Sequence, residues 1–227
     1  MMRLWWLPAA LVLAGLGFGA LSAGRMVSPL AGFIVFTAAA GIGLIFGLVY
    51  GGFGVYRLIG RHPDAWPILA AAAMPLVAGL IVLASFLSAP GATRNDVTTD
   101  LADPPVLLAG PAARSPYPDD FRAWHRATYP DLGPRRLPVS AEAAFAKAKA
   151  TAEAKGWVIA AEDKANGVIH AVATTSVFGF EDDIAIRLRS DGSQTTVDLR
   201  SRSRVGRGDR GVNAKRIRDF LETITAP

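Results

Sequence analysis

The sequence has no cysteine. It therefore cannot build a disulfide framework, a thiolate-ligated zinc or iron–sulfur centre, or a thiol nucleophile. Histidine is nearly as scarce: His62, His125 and His170 are scattered and do not form the paired spacing of a helix-borne zinc site. A Gly-x-Ser-x-Gly elbow and a phosphate-loop lysine motif are also missing. The usual starting points of metal hydrolases, serine hydrolases and nucleotide-phosphate enzymes are thus absent, and no cofactor is expected.

Charge is lacking over a long stretch. Residues 1–93 carry only Arg3, Arg25, Arg57, Arg61 and Asp64, whereas all other acids and bases follow from Arg94 onward. Residues 4–23, 30–54 and 67–89 are free of charged side chains, and a hydrocarbon core of about 30 Å needs roughly 20 apolar residues of helix. Three transmembrane helices in an anchor of residues 1–93 are expected. Trp5, Trp6, Tyr50, Tyr56 and Trp66 lie near the ends of these runs, where amphipathic rings favour the headgroup level. Within the runs there is no Asp, Glu, Lys, Arg or His to mark an ion path, so the anchor is expected to hold rather than transport. Ala39, Gly43, Gly47 and Gly51 recur every fourth position, and Gly15 and Gly19 do the same. Such spacing permits close helix approach, either inside one bundle or between two copies as a homo-oligomer.

Arg3, Arg57 and Arg61 on one side outnumber Arg25 and Arg94 on the other. The positive-inside bias then places the N-terminus in the cytoplasm and the C-terminal domain outside it, on an integral protein of the cytoplasmic (inner) membrane. The formal charge of +5 arises mainly at these flanks: from Asn95 onward 19 Lys/Arg face 18 Asp/Glu. Bulk charge gives no basis for nucleic-acid binding.

The remainder reads as a linker or extended arm over 94–118, rich in proline, and a soluble α+β domain over 119–227. A short helix is expected near 119–128. Ser140 caps a second helix in which Ala141, Ala144, Phe145, Ala148 and Ala152 recur at helical spacing until Gly156. Strands are expected at 157–162, 168–176, 183–189 and 195–203, joined at Asn166-Gly167, Phe178-Gly179 and Asp191-Gly192. These make a four-stranded antiparallel meander. A last helix at 212–224 brings Ile217, Phe220, Leu221 and Ile224 onto one face. Ile184, Ile186, Leu188, Val197 and Leu199 alternate with Arg187, Arg189, Asp198, Arg200, Arg202 and Arg204. One sheet face is therefore apolar and packed by helices, while the other carries an arginine comb facing solvent or a partner.

Residues 179–183 (Gly-Phe-Glu-Asp-Asp), Arg187 and Arg189, the run 197–206 (Val-Asp-Leu-Arg-Ser-Arg-Ser-Arg-Val-Gly), and Asp209, Gly211, Val212, Asn213, Arg216 and Ile217 form a recurring set. With Asn95-Asp96-Val97, Asp103-Pro104-Pro105 and Tyr129-Pro130, the set resembles the domain of unknown function 1499 family over residues 94–224. The resemblance implies no defined activity or catalytic residues. It does imply membrane or export segments.

Two candidate sites emerge. The first is a ligand-binding surface of Arg187, Arg189, Arg200, Arg202 and Arg204, whose planar guanidinium groups suit phosphate and carboxylate. It continues into Gly206, Gly208 and Asn213, where Arg207 and Arg210 flank the start of the last helix and its free N–H groups. The plain alternatives are a salt-bridged face and a connection in which Asp209 caps the helix. Residues 206–211 match Gly-x-Gly-x-x-Gly, but no returning strand or ribose-binding acid follows. The second site is the acidic run Glu181, Asp182 and Asp183. Alternating strand residues rarely converge on one ion, so no metal is expected there. The functional expectation is a membrane-anchored, extracytoplasmic binding or envelope-assembly module, not an enzyme, engaging an anionic envelope component or a membrane-protein partner. An enzyme using Asp182 or Asp183, or a structural subunit of a membrane complex, are the alternatives.

Overall fold

The computed structural model describes residues 7–88 and 93–225. The opening of the first expected span at 4–6, with Arg3, Trp5 and Trp6, and the close of the third at Ala89 lie outside the described residues. The chain divides into two compact units, residues 1–88 with 175–179, and residues 89–174 with 180–227.

The first unit consists of helices α1 (Leu7–Ala23), α2 (Pro29–Ile59) and α3 (Ala65–Leu87). Ser28 starts α2 by accepting the Ala31 N–H, and Pro29 supplies a fixed φ in the first turn. Two helices, Pro29–Ile59 and Ala65–Ser85, are long and apolar enough to cross a membrane. The described part of the first apolar helix is shorter, and three crossings are not established by length alone. Small residues allow the helices to touch: a Cβ on Gly15 would lie 2.9 Å from Ala39 Cβ, and one on Gly47 2.8 Å from Leu76 Cγ. Large apolar side chains such as Ile45 and Leu48 point outward, 64% and 62% exposed.

The second unit contains β1 (Asp96–Thr98), α4 (Asp119–Thr128), β2 (Arg135–Leu137), α5 (Ala141–Ala154), β3 (Val158–Asp163), β4 (Val168–Thr174), β5 (Glu181–Ser190), β6 (Thr195–Ser203) and α6 (Val212–Thr225). β3 to β6 form the expected antiparallel meander, but the sheet has six strands, not four. Strands β1 and β2 both pair antiparallel with the outer edge of β6, Val97 opposite Ser201 and Arg136 opposite Thr196. Each has only three residues and lies in a stretch punctuated by proline, so its extended state is set by the long-range ladder and carries no local period.

Helices α5 and α6 cover one sheet face. Ala144, Ala148 and Ala152 of α5 are fully buried, and their small size lets the helix approach Ile169, Ile184 and Ile186 closely. On α6, Ile217, Phe220, Leu221 and Ile224 fill the space over Val197 and Leu199. Gly156, at φ +74°, turns the chain out of α5 into the strand, a left-handed conformation that costs glycine little.

A buried charge layer on the sheet

The opposite face is not solvated, which corrects the expectation of an open comb. Residues 94–118 cross it, bringing Leu107 and Tyr117 into buried positions beside the arginines. The sheet register sets Arg187 opposite Asp198 and Asp183 opposite Arg202. The remaining counter-charges come from the crossing segment.

Arg200 is the most deeply placed, 1% exposed. Its Nε and Nη2 donate to the two carboxylate oxygens of Asp96 at 3.0 and 2.8 Å, its Nη1 donates to the Ser115 carbonyl at 3.1 Å, and its guanidinium lies 5.4 Å from the Tyr117 ring centre. This two-pronged pairing satisfies a charge that burial would otherwise penalise heavily. Arg202 reaches Ser115 Oγ at 2.8 Å. Arg187 donates to Asp198 and Asp103, and Arg189 to Asp100 at 2.9 Å. Asp198 is fully buried, and burial pushes its carboxyl above the ordinary value despite the two arginines beside it.

Arg204 donates through Nε and Nη2 to both oxygens of Asp183, at 3.0 and 2.8 Å, and also pairs with Glu181. His170 Nε2 meets Asp183 Oδ1 at 3.1 Å. Burial alone would raise the Asp183 carboxyl, but the hydrogen bonds from His170 and Arg204 outweigh it and hold the group below the usual carboxylate value. Gly110, at φ +82°, presses against this carboxylate, and a Cβ there would fall 2.6 Å from either oxygen. Gly110→Ala is accordingly expected to cost about 1–3 kcal/mol of domain stability, from backbone strain together with displacement of the carboxylate; a guanidinium melt checks it, and an unchanged midpoint would contradict the close contact.

Asp182 points to the helix side. It pairs with Arg216 of α6 at 2.5 Å. Asn213, fully buried, accepts from Ser201 Oγ at 2.7 Å and donates to the Asn95 carbonyl at 3.1 Å. Asp209 accepts the N–H groups of Gly211 and Asn213 at 2.9 and 2.6 Å and so caps the start of α6. Gly206, at φ +91°, offers its carbonyl to Asn95 Nδ2 at 2.6 Å. Gly208 is exposed beside Arg207.

The structure therefore places the five arginines on one sheet face and gives Arg187, Arg189, Arg200 and Arg204 carboxylates of the same chain as ligands. It splits Glu181, Asp182 and Asp183 between two faces, and the described residues hold no acid, histidine or cysteine group arranged for a metal ion. With Asp182 and Asp183 committed to arginines, no free acid–base pair stands there. Sequence reasoning missed Asp96, Asp100 and Asp103 as counter-ions and both buried histidines as anchors. The signals available were several acids in a proline-rich stretch that otherwise reads as linker, and the place of Asp96 and Asp103 in the set that resembles the family.

These features define an α+β domain with one apolar sheet face under helices and one charged face closed by its own N-terminal segment, following apolar helices in the chain. The family model described as protein of unknown function (DUF1499) matches residues 96–224, and the chain belongs to that family. The match opens at Asp96, the partner of Arg200, and closes at Ile224 in the core. No curated protein matches the chain.

Proposed function

We propose that the protein is a membrane-anchored, extracytoplasmic binding module of the cell envelope, not an enzyme, and that the loop 204–212 is its contact surface for an anionic envelope component. Three apolar helices serve as the anchor, with the N-terminus in the cytoplasm as the flanking arginines favour. The observation that carries the reading is the exposure of residues 205–208 and of Arg210 and Val212, directly after a strand whose Arg200 and Arg202 lie against Asp96 and Ser115. Arg207 stands there between exposed Val205 and Val212, and basic side chains mixed with apolar ones suit an anionic lipid headgroup surface. The saturation of Asp182 and Asp183 by arginines speaks against the catalytic alternative.

A basic side chain near an anionic surface contributes about 1 kcal/mol. Arg207→Glu in the full-length protein is therefore expected to weaken phosphatidylglycerol adducts roughly five- to thirtyfold, with phosphatidylcholine adducts and domain stability unchanged. Native mass spectrometry from mild detergent reads both. Equal phosphatidylglycerol retention in the variant would remove the loop from the proposal.

A further inference from the structure

Both buried histidines of the domain perform the same task. His125 Nε2 accepts the backbone N–H of Thr98 at 3.3 Å, and His170 Nδ1 accepts those of Leu108 and Ala109 at 3.1 and 3.4 Å. Each ring is almost completely buried, 1% and 0% exposed. A ring nitrogen that accepts an N–H must carry its lone pair, so both imidazoles are neutral at these positions. All three amides belong to the segment that crosses the charged face. A second proton on either ring would set an N–H against an N–H in a buried site.

We propose that His125 and His170 are acid-labile clasps, and that protonating them frees the chain locally at Thr98, the last residue of edge strand β1, and around residues 106–110 while β3 to β6 stay paired. The released stretch contains Leu107, fully buried in the closed form, between half-exposed Val106 and partly buried Leu108. An apolar strip would thus appear on the surface at acid pH. This inference does not depend on the loop 204–212 binding lipid.

The surroundings of each ring decide where the effect falls. On the β5 side His170 faces Asp183, behind which stand Arg204 and Glu181; its neighbours across the ladders are Ala161 and Ala185, and the crossing segment presents only backbone amides. Its Nδ1 is met by two amide donors and its Nε2 by the Asp183 carboxylate. His125 is enclosed by Tyr117, Trp124 and Tyr129, with Arg126 adjacent and the Arg200–Asp96 pair beyond the Tyr117 ring. Burial, reinforced by Arg126, holds its imidazole below the ordinary value of 6.5. With a depressed folded value the neutral clasp contributes fully above the ordinary imidazole value, and that contribution is lost as pH falls below it. Against the effect of burial, hydrogen bonds from the Asp103 backbone N–H and from Arg189 hold the Asp100 carboxyl below its ordinary value, and the bonds of Asp100 and Asp103 to Arg187 and Arg189 confine the opening to the clasped points.

Amide exchange of the full-length protein in lipid nanodiscs tests this, expressed as protection factors so that the intrinsic pH dependence of exchange is removed. For a ring whose folded value is depressed, the linked proton lowers protection by up to about tenfold per pH unit between the ordinary imidazole value and the lower folded value. Between pH 7.5 and pH 5 the amides of Thr98, Leu108 and Ala109 are expected to lose at least tenfold, while the Thr99 amide, bonded to the Leu199 carbonyl at 2.8 Å, keeps its protection. In His170→Gln the loss at Leu108 and Ala109 should vanish. Constant protection at all three amides would overturn the proposal, and so would loss at Thr99 in step with them, which would mean general unfolding. Should the variant not fold, imidazole nitrogen shifts of the unmodified protein serve instead: ring protonation and amide loss must share a midpoint, and separate midpoints refute the clasp.

Discussion

Arg200→Met is expected to destabilise the domain by about 3–5 kcal/mol at neutral pH, because it leaves a buried carboxylate without its partner. Asp96 is 1% exposed, and its two oxygens receive two of the guanidinium's N–H groups. Removing the arginine also strips donors from the Ser115 and Pro116 carbonyls. Burial works to raise the Asp96 carboxyl, and without Arg200 nothing of similar strength opposes it. An acid whose folded value lies above its unfolded value is favoured in the folded state by protons. The deficit should therefore be largest at neutral pH and shrink as pH falls toward the carboxyl's raised value. Guanidinium unfolding of the detergent-solubilised protein at pH 7 and at pH 5 checks both statements. A paired replacement, Arg200→Met with Asp96→Leu, should recover most of the loss, since an apolar pair of similar volume can replace a buried ion pair at little net cost. A single variant as stable as the parent would mean that the pair is not closed in solution.

Phe220→Ala is expected to cost a similar amount, about 3–5 kcal/mol, by a different route. The ring is fully buried and stacks on Trp157 at 5.4 Å with 15° between the planes. Its loss opens a cavity between α6 and the sheet, bounded by the alanines of α5, which cannot extend to fill it. The effect should be independent of pH, since no titratable group changes partner. Trp157 reports directly: its emission should shift to the red in the folded variant as water reaches the indole. A cost below 1 kcal/mol would indicate that α6 settles into the space.

The meander was legible because its signals are local. Period-two alternation runs through Ile184, Ile186 and Leu188, and Asn166-Gly167 and Asp191-Gly192 mark tight turns, with Gly167 and Gly192 at positive φ in the structure. The caps were legible for the same reason: Ser140 accepts the Ala143 N–H, and Asp209 holds the first turn of α6. Strands β1 and β2 were not, since three residues cannot show a period and the partner of Val97 is Ser201. At the charge layer, the arginines could be read from strand alternation, whereas their ligands could not. Asp96 stands 104 positions from Arg200, and Asp103 84 from Arg187. Nothing near Asp96 marks it as a buried counter-ion, and a lone histidine in an apolar strand gives no indication of the amides it will accept. A row of like charges on a strand thus predicts where opposite charge is needed, not which part of the chain will supply it.

The place of β6 between β5 and the two short edge strands sets the order of events during synthesis. β6 pairs with β5 on one edge and with β1 and β2 on the other, yet it is the last strand to be made. The 104 residues between Asp96 and Arg200 take about 5–20 s to polymerise at typical rates. Throughout that interval the nascent segment around Asp96 has no ladder to join, and its acids stay hydrated until the ribosome has delivered β6. Closure of the domain is therefore late and non-local, the arrangement for which slow folding is the rule.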